Sequence, residues 1–145
     1  MTVIGNGVDI VENNRIAKFI KNSSFINRIF TKNEIDQSKK SKNKVNFFAK
    51  RFAAKEALVK ALGTGFRYNI NFNDICVKNN SKGKPKLILS KKLRKILKEK
   101  HKINKYRIYL SLSDEKKHSL AFVIIDKIKW KNSLSKILKH FYMLY

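Results

Sequence analysis

The stretch RFAAKEALVKALGTGF, residues 51–66, decides much of the fold, because its composition favours a helix that then stops abruptly. Alanine, leucine, lysine and glutamate are strong helix formers, and Gly63 is typical of the position just past a helix C-terminus. Apolar residues continue upstream at helical spacing, so the predicted helix extends back to residue 45. Its predicted apolar positions are Val45, Phe48, Phe52, Val59 and Leu62.

Glu56 is the one carboxylate of this basic helix, and its presence has two explanations. Lys60 lies four residues further on, so the two side chains share a face and could form an ordinary surface ion pair. The segment Gly63-Thr64-Gly65 is similarly either a plain helix stop or a loop whose backbone approaches a ligand, because glycine has no Cβ. The residues alone leave these alternatives open.

The composition of the whole chain predicts one basic globular domain. It has 145 residues, 43% of them hydrophobic, and a formal net charge of +24. A surface of this sign attracts nucleic acid, anionic lipid, phosphate-rich cofactors or acidic proteins. Charge does not choose among these partners, and many exposed lysines are simply solvated.

Several kinds of protein are disfavoured by what the sequence lacks. Cys76 is the only cysteine, so an internal disulfide or a thiolate metal cluster is not possible. No apolar run approaches the roughly 20 residues of a membrane-spanning helix, and the N-terminus lacks the layout of a signal peptide. We therefore expect a soluble cytoplasmic protein, or a plastid protein if a targeting segment has been removed.

The first stretch, VIGNGVDIVE, reads as a strand interrupted by Gly5 and Gly7. Glycine inside a strand indicates a bulge or a close approach of another backbone. Asp9 lies between Val8 and Ile10, so strand alternation places its side chain on the opposite face from theirs.

The remaining segments mix strands and helices without regular βαβ alternation, which predicts an α+β fold with a small antiparallel sheet packed against helices. A helix is expected from about Asn13, and Thr31 with Glu34 fits a capping box. Two strands flank the turn NNSKGK, a short helix follows Ser90, and YRIYLSLSD with SLAFVIID forms a hairpin. Residues 1–126 form the predicted domain, and residues 127–145 a C-terminal amphipathic helical extension of it.

Two carboxylates, Asp9 and Glu56, are the remaining candidates for catalytic or metal-binding residues. The sequence contains no His-x-x-x-His or Cys-x-x-Cys pair, no Gly-x-Ser-x-Gly elbow and no Walker loop. Two carboxylates, water and a substrate phosphate are a common way to hold Mg²⁺. Spacing does not show that the two residues meet, since Glu56 could pair with Lys60 and Asp9 could lie beside a turn.

Four segments in the same order resemble the holo-acyl-carrier-protein synthase family of 4′-phosphopantetheinyl transferases: GVDIVENNRI, RFAAKEALVKALGTG, NDICVKNNSKGKP and YLSLSD with SLAFVIID. The resemblance runs from Val3 to Asp126. It implies Mg²⁺-dependent transfer of 4′-phosphopantetheine from coenzyme A to a serine of apo-acyl carrier protein, with release of adenosine 3′,5′-bisphosphate, in support of fatty acid biosynthesis. It also implies a homotrimer whose active sites are shared between neighbouring subunits.

The resemblance assigns roles to individual residues. Asp9 and Glu56 match the catalytic metal ligands, and Glu56 or a metal-bound water that it orients would take the proton of the acceptor hydroxyl. Arg15 and Arg28 match positions that grip the acidic carrier protein. The matches to coenzyme A-binding positions are Arg51, Lys60, Gly63, Thr64, Gly65 and Ser113.

Asp114 departs from the family pattern, which usually has a histidine near the phosphate end of the coenzyme at this position. A carboxylate there would repel phosphate, so the histidine's role does not carry over, and a member that has lost activity is a further interpretation. His118 or Lys116 could reach the same space from the following turn. The tail from about Lys127 also exceeds the family's usual length. Its apolar stripe could pack on the core, cover a neighbouring subunit or lie on a membrane, and we expect it to pack within the oligomer.

The chief alternative is a small basic nucleic-acid-binding protein. The net charge of +24 and an aromatic content of 11% would suit such a role. Most phenylalanines, however, fall on apolar helix or strand faces, and no RNA-binding signature occurs. The transferase is therefore the leading hypothesis, with no nucleic acid partner and no membrane span.

Overall fold

The computed structural model describes residues 2–100 and 102–128 and confirms the α+β class. Three antiparallel strands form one sheet in the order β1-β5-β4, and β2 pairs with β3 in a second. The strands are β1 (Thr2–Glu12), β2 (Ile75–Asn79), β3 (Pro85–Leu89), β4 (Tyr106–Asp114) and β5 (His118–Lys127). The helices are α1 (Asn13–Phe19), α2 (Ser23–Ile29), α3 (Lys32–Ser38), α4 (Lys44–Ala61) and α5 (Lys91–Lys100).

The local signals for helix ends are confirmed. Thr31 and Glu34 form the predicted capping box at the start of α3. The Ser90 hydroxyl accepts a hydrogen bond of 3.0 Å from the backbone N–H of Leu93 and so caps α5. Gly63 follows α4 with a φ of +69°, a conformation that glycine adopts without strain.

The glycines of β1 mark both a bulge and a close approach. The strand register shifts between Val3 and Gly5. A Cβ built on Gly5 would collide with the carbonyl oxygen of Ala61, and one built on Gly7 with that of Ala57. The backbone of α4 therefore rests directly on the backbone of β1, which is possible only because both strand residues lack a side chain.

Because of this close approach, the buried face of α4 differs from the apolar stripe that the sequence predicts. The predicted stripe is only partly correct, because Phe48 and Val59 are buried while Phe52 is only half-buried. The sheet side of the helix is covered instead by alanines, since nothing larger fits against glycine backbone. These fully buried alanines are Ala49, Ala53, Ala54 and Ala57.

A buried ion pair fixes α4 on its other side. Lys55 Nζ lies 2.8 Å from Glu34 Oε2 and donates a further bond of 2.7 Å to the carbonyl oxygen of Ile29. Glu34 Oε1 accepts the backbone N–H of Val77 at 3.0 Å. Burial lowers the pKa of Lys55, and the Glu34 carboxylate opposes that shift. The pair ties α2, α3, α4 and β2 together at one point.

The face of the three-stranded sheet that points away from α4 carries exposed apolar side chains. Val8 is 51% exposed and Ile10 62%, and Phe122, which faces Val8 across the strands, is 40% exposed. Asp9 points to the other face, as strand alternation predicted. This outer face is a surface that another protein chain can cover.

Of the predicted amphipathic tail, residues 127–145, the part from 129 to 145 lies outside the described residues. Strand β5 extends to Lys127, one residue past the predicted end of the domain. Within residues 2–100 and 102–128, no helix is both long and apolar enough to cross a bilayer.

The glycine contact gives the first prediction. Gly7→Ala should destabilise the fold by about 3 kcal/mol or more, because its methyl group would meet the backbone of α4, which cannot move without disturbing the core. Asn6→Ala is the matched control, since Asn6 is exposed on the opposite face and should change stability by less than about 0.5 kcal/mol. Urea unfolding followed by circular dichroism measures both, and equal stabilities would contradict the assigned contact.

Candidate active site

The structure brings Asp9 and Glu56 together. Both line one cleft between β1, α1 and α4, to which Arg15, Phe52 and His118 also contribute. We call this the carboxylate cleft. The two acidic residues are 47 positions apart in sequence, so only the packing of α4 on β1 makes them neighbours.

The same contact that packs the core also positions the carboxylates. Asp9 follows Gly7 by two residues and so points to the same side of β1, towards α4. Glu56 directly precedes Ala57, whose carbonyl lies against Gly7. A shift of the helix along the strand would separate the two acidic groups.

Lys60 pairs with Asp9 rather than with Glu56. Its Nζ lies 2.6 Å from Asp9 Oδ1 and donates a second bond of 3.2 Å to the carbonyl oxygen of Val8. Glu56 has no ion pair or hydrogen bond to another described residue. The simple explanation of Glu56 as the surface partner of Lys60 is therefore wrong.

The surroundings of Glu56 favour its neutral form. Burial raises the pKa of its carboxyl group, and the nearby charge of Asp9 raises it further. The charges of Lys60 and Arg15 act in the opposite direction but do not cancel the shift. A divalent cation between Asp9 and Glu56 would relieve the repulsion between the two carboxylates.

The donor set fits Mg²⁺ better than a metal that needs a complete protein cage. Among the described residues, no group of three or more histidine, cysteine, aspartate or glutamate side chains could hold a metal ion. Mg²⁺ commonly takes one or two carboxylates and completes its six ligands with water and substrate phosphate. Asp9 and Glu56 supply that number of carboxylates.

Arg51, predicted to lie beside the same ligand, lies in a different cleft. This second cleft, which we call the basic cleft, is lined by Lys50, Arg51, Lys84, Pro85 and Leu112, among others. The Arg51 guanidinium lies 3.4 Å from the centre of the Phe47 ring, and burial lowers its pKa to about 10. Its Nε is buried without a hydrogen-bond partner in the described part of the chain. In a single chain, Arg51 and Glu56 do not share a site.

Asp114, which replaces the family histidine, is neutralised by a residue that the sequence analysis did not consider. Lys50 Nζ lies 2.7 Å from Asp114 Oδ1, and Asn46 Nδ2 donates to Oδ2 at 2.8 Å. Burial alone would raise the pKa of Asp114, but these two hydrogen bonds outweigh it and lower the pKa. Asp114 thus holds Lys50 at the basic cleft. His118, a suggested substitute for the family histidine, lies in the carboxylate cleft instead.

The remaining predicted residues lie around the two clefts. Arg15 is exposed in the carboxylate cleft, whereas Arg28 is exposed in the last turn of α2. Thr64 is buried, and its backbone N–H and that of Gly65 donate to the carbonyl oxygen of Val59, which folds the segment back onto the end of α4. Ser113 is exposed on β4.

Comparisons with known proteins show which family the sequence resembles. The family model of the 4′-phosphopantetheinyl transferase superfamily matches residues 5–123. A holo-[acyl-carrier-protein] synthase of Pelagibacter ubique is 54% identical over 127 residues, which cover 88% of this chain and 99% of that relative.

Solved structures with a similar fold are also holo-[acyl-carrier-protein] synthases. The holo-[acyl-carrier-protein] synthase of Neisseria meningitidis is 40% identical with a TM-score of 0.79, over 87% of this chain and 100% of that one. The Bacillus anthracis enzyme of the same name, in complex with CoA (3′,5′-ADP), is 37% identical with a TM-score of 0.73, over 88% and 100% of the two chains.

The carboxylate cleft gives the second prediction, which concerns metal binding without turnover. Mg²⁺ at several times its Kd should stabilise the wild-type chain by about 1 kcal/mol. Glu56→Gln should remove this effect, because one of the two carboxylates is lost. Glu12→Gln is the control, since Glu12 lines the same cleft but is not one of the two proposed metal ligands. Thermal unfolding with NaCl matched for ionic strength measures the three proteins, and an unchanged Mg²⁺ effect in Glu56→Gln would contradict the site.

The raised pKa of Glu56 also sets the sign of a pH effect in metal-free protein. The folded state binds this proton more tightly than the unfolded state, so the contribution to stability is present below the unfolded pKa. It is lost as pH rises through the raised folded pKa. Glu56→Gln should therefore lose less stability than wild type when the pH is raised across that range.

Proposed function

The chain belongs to the 4′-phosphopantetheinyl transferase superfamily, and on this premise we propose that it transfers 4′-phosphopantetheine from coenzyme A to a serine of apo-acyl carrier protein. The other product is adenosine 3′,5′-bisphosphate, and the reaction serves fatty acid biosynthesis in the cytoplasm. The observation that carries the proposal is the meeting of Asp9 and Glu56 in one cleft, beside basic residues that suit a phosphate substrate.

Asp9 and Glu56 would hold Mg²⁺ in this scheme. The bound metal would neutralise charge on the attacked phosphate and on the leaving bisphosphate. Lys60 fixes the Asp9 carboxylate through its bond of 2.6 Å and adds a positive charge at the same point. The side chain of Arg15 extends that positive field on the α1 side of the cleft.

The basic cleft suits the nucleotide end of coenzyme A. Arg51 and Lys84 supply positive charge for phosphate, and Pro85 and Leu112 supply apolar surface for a base. The unpartnered Nε of Arg51 is a buried donor that an acceptor on the ligand could satisfy. Asp114 would not repel phosphate here, because its charge is committed to Lys50.

The separation of the two clefts supports a shared active site. One chain places the metal ligands in the carboxylate cleft and Arg51 in the basic cleft, and we infer that the coenzyme contacts the carboxylate cleft of one subunit and the basic cleft of a neighbouring subunit. The exposed apolar outer face of the sheet, with Val8, Ile10 and Phe122, is a surface that such a subunit could bury. From the resemblance to the family we infer that the assembly is a homotrimer in which each coenzyme bridges two subunits.

The carrier protein would dock on the exposed basic residues next to the carboxylate cleft. Arg15 lies at the cleft itself, and Lys18, Lys21 and Arg28 are exposed on α1, α2 and the turn between them. Acyl carrier protein is acidic, so these charges would raise the encounter rate and orient the partner. The acceptor serine would then reach the cleft along the side where Arg15 lies.

The nucleic-acid-binding alternative receives no support from the aromatic residues. Phe30 and Phe48 pack against each other inside the core with their ring centroids 4.5 Å apart and their planes tilted by 47°. Phe66 and Phe72 pack face to face at 3.7 Å. Rings engaged with one another in this way do not form a platform for bases.

The third prediction tests the transfer itself. Wild-type protein with coenzyme A and Mg²⁺ should convert apo-acyl carrier protein to the holo form, seen as a mass increase of one phosphopantetheine group by intact-mass spectrometry. Asp9→Asn and Glu56→Gln should each slow transfer on the order of 100-fold or more, because each removes a metal ligand. Glu12→Gln should remain near wild type, and full activity of either ligand variant would refute the assignment.

The fourth prediction tests the shared site by complementation. Arg51→Met should be nearly inactive alone, as should Glu56→Gln, but trimers reassembled from a mixture of the two should recover part of the activity. Some interfaces would then combine an intact carboxylate cleft with an intact basic cleft. A mixture of Asp9→Asn and Glu56→Gln is the control and should recover nothing, because those residues share one cleft within one chain. A monomeric mass by light scattering, or no recovery in the first mixture, would contradict the proposal.

A further inference from the structure

Asn13, the first residue of α1, is a buried polar residue bound to the hairpin turn between β4 and β5. Its side-chain amide donates to the carbonyl oxygens of Glu115 and Lys116 at 2.9 and 3.2 Å. Its backbone N–H donates to the carbonyl oxygen of Lys117 at 2.7 Å. Asn13 Oδ1 accepts a bond of 2.8 Å from the hydroxyl of Ser119, which is also buried. The start of α1 is therefore attached to three successive carbonyls of one turn.

Helix α1 depends on tertiary contacts of this kind because it is short. It has seven residues, and the Glu12 side chain at its N-cap position forms no capping hydrogen bond with a described residue. A helix of this length is not stable in water by itself. Its buried residues are Asn13 and Ile16, which are three positions apart and so share one face. These two side chains attach α1 to the rest of the protein.

Asn13 specifies the rotation of α1 about its own axis. Burial of Ile16 stabilises the helix without regard to direction, whereas hydrogen bonds to fixed carbonyl oxygens require a particular geometry. Arg15 follows Asn13 by two residues, which turns its side chain by about 200° around the helix axis. Arg15 is accordingly exposed. The bonds of Asn13 therefore set the direction in which the Arg15 side chain leaves the helix.

The same hairpin turn is held from its other side by α4. Asn46 Nδ2 donates to Asp114 Oδ2 at 2.8 Å and to the carbonyl oxygen of Glu115 at 3.4 Å. Lys50 Nζ donates to Asp114 Oδ1 at 2.7 Å. The turn thus connects α1 to the helix that carries Glu56. Movement of α1 relative to α4 would leave polar groups of this junction without partners, which costs free energy.

This junction relates the two residues of the carboxylate cleft that have different partners in the proposed function. Burial raises the pKa of Glu56 most strongly, and Arg15 is near enough for its charge to lower that pKa. Glu56 would hold the metal, and Arg15 would contact the carrier protein. The acceptor serine must then reach the bound coenzyme accurately, because a misplacement of about 1 Å can slow a reaction on the order of 100-fold.

We propose that Asn13 is a positioning residue for the carrier protein, an inference that rests on the proposed function. Through the hairpin turn it fixes α1, so that Arg15 holds the acidic partner in one orientation relative to Glu56. Ser119 supports this arrangement, because its bond to Oδ1 leaves both amide hydrogens of Asn13 for the turn carbonyls. Asn13 is buried, so it acts through Arg15 and does not touch the partner itself.

The test measures carrier binding and its dependence on Arg15. Asn13→Ala should weaken the binding of apo-acyl carrier protein about tenfold, and should change the Kd of coenzyme A less than about twofold, because only the carrier is oriented by Arg15. Arg15→Met should weaken carrier binding about tenfold in the wild-type background but less than about twofold in the Asn13→Ala background, where the arginine is no longer held towards the partner. Titration calorimetry measures both affinities.

Two further variants separate positioning from general stability. Ser38→Ala is the matched control, since it also removes a buried hydrogen bond, from the Ser38 hydroxyl to the carbonyl oxygen of Ile35 in α3. It should lower the thermal midpoint without changing carrier binding. Ser119→Ala removes one bond of the network and should weaken carrier binding about threefold. This milder variant carries the test if Asn13→Ala does not fold.

Three results would overturn the inference while transfer by the wild-type chain stands. The first is additivity of Asn13→Ala and Arg15→Met in the double-mutant cycle. The second is an equal loss of affinity for the carrier protein and for coenzyme A, and the third is unchanged carrier binding in Ser119→Ala. A wild-type chain that neither binds nor modifies the carrier protein would instead remove the proposed function, and this inference with it.

Discussion

At Gly5 and Gly7 the backbone of β1 touches the backbone of α4, and a side chain at either position would collide with a helix carbonyl. That contact fixes both the distance and the register of the helix on the strand. It also sets the site, because Asp9 follows Gly7 on the same side of the strand and Glu56 directly precedes the contacting Ala57. The same contact therefore determines both the packing of the core and the approach of the two carboxylates.

Three consecutive residues of α4 show how narrowly the rotation of this helix is specified. Ala54 is fully buried, Lys55 enters the buried pair with Glu34, and Glu56 opens into the carboxylate cleft. Breaking a buried ion pair by removing one partner typically costs about 3–5 kcal/mol. Rotating the helix by one residue position would break that ion pair and bury the Glu56 carboxylate in the core. Each of these changes costs free energy, so both oppose the rotation.

Patterns of neighbouring residues predicted much of this structure, and the contacts that they did not predict join distant parts of the chain. The capping box at Thr31, the glycines that interrupt β1 and the hairpin of β4 and β5 are each indicated by residues close in sequence. Arg51 and Glu56 are both expected at the coenzyme, and five residues on a helix differ by about 140° in direction, so their spacing already indicates that they line different clefts of one chain. The pairing of Lys50 with Asp114 joins elements 64 residues apart, and no local pattern reveals it.

The few acidic residues explain why Glu56 stands out. The chain has 34 lysines and arginines but only 10 aspartates and glutamates. Several of the acids form ion pairs between different helices and strands: Asp9–Lys60, Glu34–Lys55, Asp114–Lys50 and Asp126–Arg107. Glu56 is half-buried and yet forms no ion pair with a described residue, although cations outnumber acids more than threefold. A half-buried carboxylate that forms no ion pair in so basic a protein, next to a second carboxylate, supports the proposal that a bound cation supplies its counter-charge.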